Sequence, residues 1–261
     1  MTGRSLHDGL LRVLTSAQLR ARAAAGDVAT LGTAVGVEEA RALCAADPAR
    51  IDGLARFLGR HFYRERIVRL FAASRRLARE AERDPLAILD TPAFAALLER
   101  AELGSAATAD AVATLVEAEV ASLLGARPWG PALAAYEGAL FRVEAGPRRW
   151  GGAGGGAVVR AATARVVALD WDVTGLVAAV RRGEPALPEP PAGPIRLLVA
   201  LAPDGRVTTL RASEDLERIL TALEAPRTAA ELARALDAEE AECGRALQQL
   251  AAAGAVEWRD A

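Results

Sequence analysis

The stretch from Ile195 to Trp258 carries the densest set of local signals in the chain, and those signals leave few folds open. Two apolar runs, IRLLVAL and RVTTLR, flank Ala202-Pro203-Asp204-Gly205, a turn sequence in which proline presets φ and glycine accepts a positive one. The runs predict a pair of strands. Three helices are predicted next. Ser213 precedes an acidic first turn, Glu214 and Asp215, and Leu216, Ile219, Leu220 and Leu223 recur at helical spacing. Pro226 ends that helix. Thr228-x-x-Glu231 is a capping box for the second, with Leu232 and Leu236 inward. Asp237, with Glu240 three residues on, is expected to cap the third. Its apolar positions are Cys243, Leu247, Leu250 and Ala251, and Gly254 supplies a left-handed stop. Ala255-Val256-Glu257-Trp258 closes as a strand.

This order is that of a small winged helix-turn-helix. In a DNA reader the third helix would carry donors toward base edges within a basic surround for phosphates. Here it opens with Glu239, Glu240 and Glu242, and only Arg245, Gln248 and Gln249 fit that role. Residues 212–261 hold eleven acids against five arginines, so phosphates would meet a net negative surface. Peptide capture is the stronger reading. An extended peptide joins a sheet edge through backbone bonds, and the groove beside the third helix selects side chains.

The upstream chain is helical in pattern. Leu6, Leu10, Leu11 and Leu14 mark one helix face near the N-terminus. Asp47-Pro48 reads as N-cap and first-turn proline of a long helix over about 48–83. Ile51, Leu54, Leu58 and Phe62 are expected on its buried face. Asp84-Pro85 stops it, Thr91-Pro92 starts another, Thr108 or Asp110 begins the next, and Pro131 to Val143 forms one more. Residues 146–156, GPRRWGGAGGG, are a flexible break. Residues 157–172 alternate like a strand and lead into a short helix over 173–182. Five prolines within 183–194 suggest a semi-rigid spacer. The expected class is α+β, mostly helical. A helical domain spans 1–145, a linker with a strand and short helix 146–194, and the winged module 195–261.

Nothing in the chain points to chemistry of its own. The two cysteines, Cys44 and Cys243, are far apart, and no CxxC, HExxH or clustered histidine suggests a metal site. His61 lacks catalytic partners nearby in sequence and is expected at a core edge or interface. Asp170 and Asp172 flank Trp171 with no accompanying nucleophile, and read as strand-end and helix-cap residues. The glycine run lacks the Lys-Ser/Thr of a phosphate loop. No catalytic residue, metal ligand or cofactor is expected in this chain. With no apolar run of about 18 residues and no signal-peptide core, a cytoplasmic, membrane-free protein is expected.

Lysine is absent, and ten arginines face four acids between residues 50 and 83. Arg56, Arg60 and Arg64 are spaced at i, i+4 and i+8, as are Arg75, Arg79 and Arg83. Stripes of like charge are unfavourable without counter-charges. The first stripe, with Trp150 of the glycine-rich break, is therefore the candidate partner interface.

The run LTALEAPRTAAELARAL…CGRALQQLAAAGAVEW, with the two strands before it, resembles the precursor-peptide recognition element. This is the PqqD-like domain of pathways that make ribosomally synthesised, post-translationally modified peptides. The preceding TARVVALDWDVTGLVAAVRRGEPALPEPP, behind a helical domain, is similar to the partner proteins of multinuclear non-haem iron oxidative enzymes. Those partners include the ones of the methanobactin and 3-thiaglutamate pathways. The resemblance implies a non-catalytic subunit that binds the leader of a precursor peptide. It would present the peptide to an iron enzyme that modifies a cysteine, the iron residing in that enzyme. By the same resemblance the leader would lie along Arg206, Val207, Thr208, Thr209, Leu210 and Arg211. Arg245, Gln248 and Gln249 would form the flanking wall. The alternative is a winged helix-turn-helix transcription regulator.

Overall fold

A computed structural model describes residues 3–80, 82–147 and 156–259. The chain is mostly helical, with two small antiparallel sheets. Helices α1 (Gly3–Thr15), α2 (Ala17–Ala24), α3 (Val28–Val35) and α4 (Val37–Cys44) pack on the first half of α5 (Pro48–Leu70). Val13, Leu14, Leu31, Leu43 and Ile51 form that core. The second half of α5 joins α6 (Ala72–Arg79), a 3-10 turn (Pro85–Asp90), α7 (Pro92–Glu99), α8 (Ala106–Leu123) and α9 (Gly130–Ala145). Tyr63, Phe71, Phe94, Val116, Leu133 and Phe141 fill this larger core. Buried on nearly every side, α9 runs between α8, α5 and the sheet, and its charged residues Glu137, Arg142 and Glu144 are paired or hydrogen-bonded there.

Two expectations for the Arg-rich helix need correction. It does not run to residue 83. It breaks at Phe71, whose ψ of 36° leaves the helical region, and α6 restarts it. The donors exposed by the break are taken up by Glu137 of α9. Its carboxylate accepts the Ala73 N–H at 2.9 Å, the Ser74 N–H at 3.2 Å and the Ser74 hydroxyl at 2.5 Å. Arg83 therefore falls outside α6. The buried face is only partly the one expected: Ile51 is buried and Leu58 and Phe62 are half-buried, but Leu54 is exposed, and Ala55, Gly59, Tyr63, Ile67 and Leu70 complete the face. Small residues let α7 approach closely, since a Cβ on Gly59 would sit 3.1 Å from Leu98 Cδ2. Leu54 and Phe57 turn outward as a result.

The helix start expected at Thr108 or Asp110 lies earlier. Ser105 caps α8 by accepting the Thr108 N–H.

After the glycine-rich stretch come β1 (Ala157–Arg160), β2 (Arg165–Trp171) and α10 (Thr174–Arg181). The remaining elements are β3 (Ala192–Leu201), β4 (Val207–Arg211), α11 (Glu214–Ala222), α12 (Ala229–Leu236), α13 (Glu240–Ala252) and β5 (Val256–Arg259). The larger sheet has the order β2-β3-β4, antiparallel throughout. β1 skips its neighbour and pairs with β5, from Ala157 opposite Arg259 to Arg160 opposite Val256. The proline-rich stretch before β3 is tied down. Trp129 Nε1 donates to Glu189 at 2.6 Å, and Arg76 donates to the Pro185 carbonyl at 2.8 Å.

β3 is the shared element. Ile195, Leu197, Val199 and Leu201 face the helical core, while Leu198 and Ala200 face a separate core. That core holds Leu220, Leu223, Leu232, Leu247, Leu250 and Val256 of the C-terminal elements, with Val158 of β1. The caps expected at Ser213 and Thr228-Glu231 form as read. The cap expected at Asp237 does not. Asp237 adopts a left-handed conformation, φ 53°, and ends α12, and Glu239 precedes α13. The turn is too short for Asp237 to serve both helices, and aspartate tolerates the left-handed region.

Candidate functional site

β4 pairs with β3 in unbroken register, from Val207 opposite Leu201 to Arg211 opposite Leu197. The flanking bonds, Ala202 N–H to Arg206 O and Ala212 N–H to Arg196 O, set the alternation. Residues 208 and 210 turn their backbone donors and acceptors toward β3. Val207, Thr209 and Arg211 turn theirs away from the sheet, and no strand among the described residues pairs with them. The opposite edge, β2, is interrupted by an irregularity between Leu169 and Trp171, a device that discourages strand addition. Of the two edges, β4 is the regular one.

Side chains of β4 alternate between two surroundings. Val207 packs on the helical core. The Thr209 hydroxyl lies 3.2 Å from the Tyr136 hydroxyl of α9. Arg211 pairs with Asp172, whose other oxygen accepts from the Thr174 N–H and hydroxyl at the start of α10. On the opposite face the Thr208 hydroxyl donates to the Ala253 carbonyl at 2.8 Å, joining β4 to the end of α13. Leu210 stands beside Leu198 and is 41% exposed, a large apolar side chain at an open edge. Arg206 lies in the turn before β4. Its N–H, and then its guanidinium, bind Asp204 and hold that carboxyl below the usual carboxylate range.

Arg245, Gln248 and Gln249 are exposed on α13, on the side away from its buried Cys243, Leu247 and Leu250. The contact between β4 and α13 lies further along, at Ala253. Tyr136 and Asp172 join this site from elsewhere in the sequence. Only the pairing of distant elements brings them to β4, so no local pattern could have shown it. Beside α11 and α13 runs a cleft of about 350 Å3 lined by Asp215, Arg218, Asp237, Glu242 and apolar neighbours. Three carboxylates against one guanidinium make it a poor phosphate seat.

Of the expected interface residues, Arg60 is paired with Asp90, whereas Arg56 and Arg64 are exposed. Trp150 lies outside the described residues. His61 is exposed, stacked on Phe57 and 3.2 Å from Glu65. Among the described residues no helix is long and apolar enough to cross a membrane, and no group of three or more His, Cys, Asp or Glu is placed to hold a metal.

Comparison with protein-family models gives no match, and comparison with curated proteins gives none.

Proposed function

We propose that this chain is a non-catalytic partner subunit. It binds the leader of a ribosomally made precursor peptide and presents the peptide's cysteine to a cytoplasmic, multinuclear non-haem iron oxidative enzyme. The leader adds as a further strand along β4, and α11–α13 with their strands act as a winged-helix recognition element. The observation carrying this reading is the open β4 edge, with the outward backbone groups of Val207, Thr209 and Arg211 in regular register. Three such residues offer both donors and acceptors, enough to hold an extended peptide. Leu210 and the end of α13 flank one side, and Tyr136 and Arg211 the other. The acidic surface around α13 weighs against the DNA-binding reading.

The test is titration of the full chain with a short cysteine-bearing peptide encoded in the same operon. Thr209→Pro removes an outward N–H and leaves the β3 ladder intact, because proline is tolerated at an edge. Peptide binding is expected to weaken at least tenfold in this variant, with an unchanged circular dichroism spectrum. Undiminished peptide binding would sink the β4 assignment. Tight, salt-sensitive binding to a promoter fragment would support a regulator instead.

A further inference from the structure

The outward face of α5 carries a second signal. Leu54 is 52% exposed, Phe57 71% and Val68 37%, on a helix whose other face is fully buried. Large apolar side chains at these exposures are uncommon when grouped. With Arg50, His61 and Arg64 they step along the helix as 50, 54, 57, 61, 64 and 68. The alternation of four and three is the seam spacing of a helix that meets another helix.

The charge on this face is one-sided. Of its acids, Asp52 pairs with the buried Arg20 and Glu65 lies 3.2 Å from His61, an ion pair only when that ring is protonated, so Arg50, Arg56, Arg60 and Arg64 outnumber them. Arg50, Arg56 and Arg64 are exposed and have no ion partner among the described residues. At Val68 the seam runs into a cleft of about 490 Å3 lined by Val68, Ala72, Arg75, Arg76, Arg79 and Glu80. Its one glutamate is paired with Arg127 and its Arg75 with Asp84, while Arg76 donates only to the Pro185 carbonyl, so Arg76 and Arg79 are left without an acid among the described residues.

We propose that this face docks an amphipathic helix of a partner protein. The helix is apolar along one stripe and carries carboxylates opposite Arg50 and Arg64, and its acidic end enters the arginine-lined cleft. A second copy of this chain is disfavoured, because a two-fold contact brings two faces of the same positive charge together. The inference is independent of leader binding, which uses β4.

The probe is a fluorescein-labelled helical peptide of about three heptads, matched in length to the seam. It has leucine at the seam positions and glutamates placed to meet Arg50 and Arg64; its twin carries arginines there. Titrated against the full chain, the glutamate peptide is expected to bind at least tenfold more tightly than its twin. Phe57→Asp should weaken it at least tenfold, and the Arg50→Glu/Arg64→Glu double variant should reverse the preference. All three substituted residues are exposed, so the melting temperature should stay put. Thr209→Pro should leave this binding unchanged, which separates a failure here from a failure at β4. Equal affinity for the two peptides, or none for the glutamate peptide, overturns the proposal. A dimer in sedimentation that Phe57→Asp dissolves also overturns it, as does Phe57-dependent binding to phosphatidylglycerol vesicles without peptide binding.

Discussion

Glu137 shows how one side chain can decide the course of a helix. It is fully buried, and burial is the largest influence on its carboxyl, pushing it up to about 7 from an ordinary 4.5. The Ser74 hydroxyl, the Ala73 and Ser74 N–H groups and Arg181 pull the other way and offset part of that cost. A carboxyl raised in the folded state binds a proton there that the unfolded chain has already released. Its favourable share of stability is therefore complete below pH 4.5 and is lost as pH climbs through about 7. A shift of this size is worth roughly 3 kcal/mol at most. Glu137→Gln keeps one acceptor for the α6 donors and removes the titration. Denaturant unfolding at pH 5 and pH 7.5 should show the wild type losing stability relative to this variant as pH rises. A difference that does not change with pH would mean that the carboxyl does not titrate in that window.

At the scale of elements, two glycines of α13 and its end make a controlled comparison. Gly254 sits at φ 78°, and a Cβ there would lie 1.8 Å from the Leu201 carbonyl oxygen, so the chain leaving α13 presses against β3. Gly254→Ala meets both backbone strain and a collision with main chain. A loss of about 3 kcal/mol or more is expected, read as a lowered unfolding midpoint. Gly244, inside the same helix, has nothing within 4 Å of the added atom, so Gly244→Ala should raise stability by about 0.5–1 kcal/mol. If both changes proved neutral, the tight packing of α13's end on β3 would be wrong. The contrast marks what sequence can convey. The caps at Ser213 and Thr228 were legible because donor and acceptor lie three residues apart. The break at Phe71 was not, because its cap comes from Glu137, 64 residues from Ala73. The outward turn of Leu54 and Phe57 was hidden for a related reason. Ala55 and Gly59 look like weaker core residues than leucine until the N-terminal helices are placed against the first and α7 against the second. For the candidate site, the β4 strand could be read from its own alternation. Its freedom to accept a partner depends on the pairing order, and its neighbours Tyr136 and Asp172 on elements far away in sequence.

At the scale of the whole molecule, β3 joins what the sequence separates into a helical part and a C-terminal part. IRLLVAL reads as a near-continuous apolar run, the pattern of a strand covered on both faces. Alternate residues enter different cores: Leu197 that of α5–α9, Leu198 that of α11–α13. Both are essentially inaccessible. The arrangement also bears on the proposed function, since a leader added to β4 would lie on a sheet already fastened to both bodies. The energetic consequence is direct. Leu197→Ala and Leu198→Ala each remove buried methyl groups, for an expected loss of about 2–5 kcal/mol, but from opposite sides of one strand. If the strand couples the two cores, both variants shift one common transition, and amides of α9 and α13 lose exchange protection together in each. Independent bodies would behave otherwise: Leu198→Ala would release only α11–α13, leaving the protection of α9 at its wild-type level. Hydrogen exchange across the two variants decides between these outcomes.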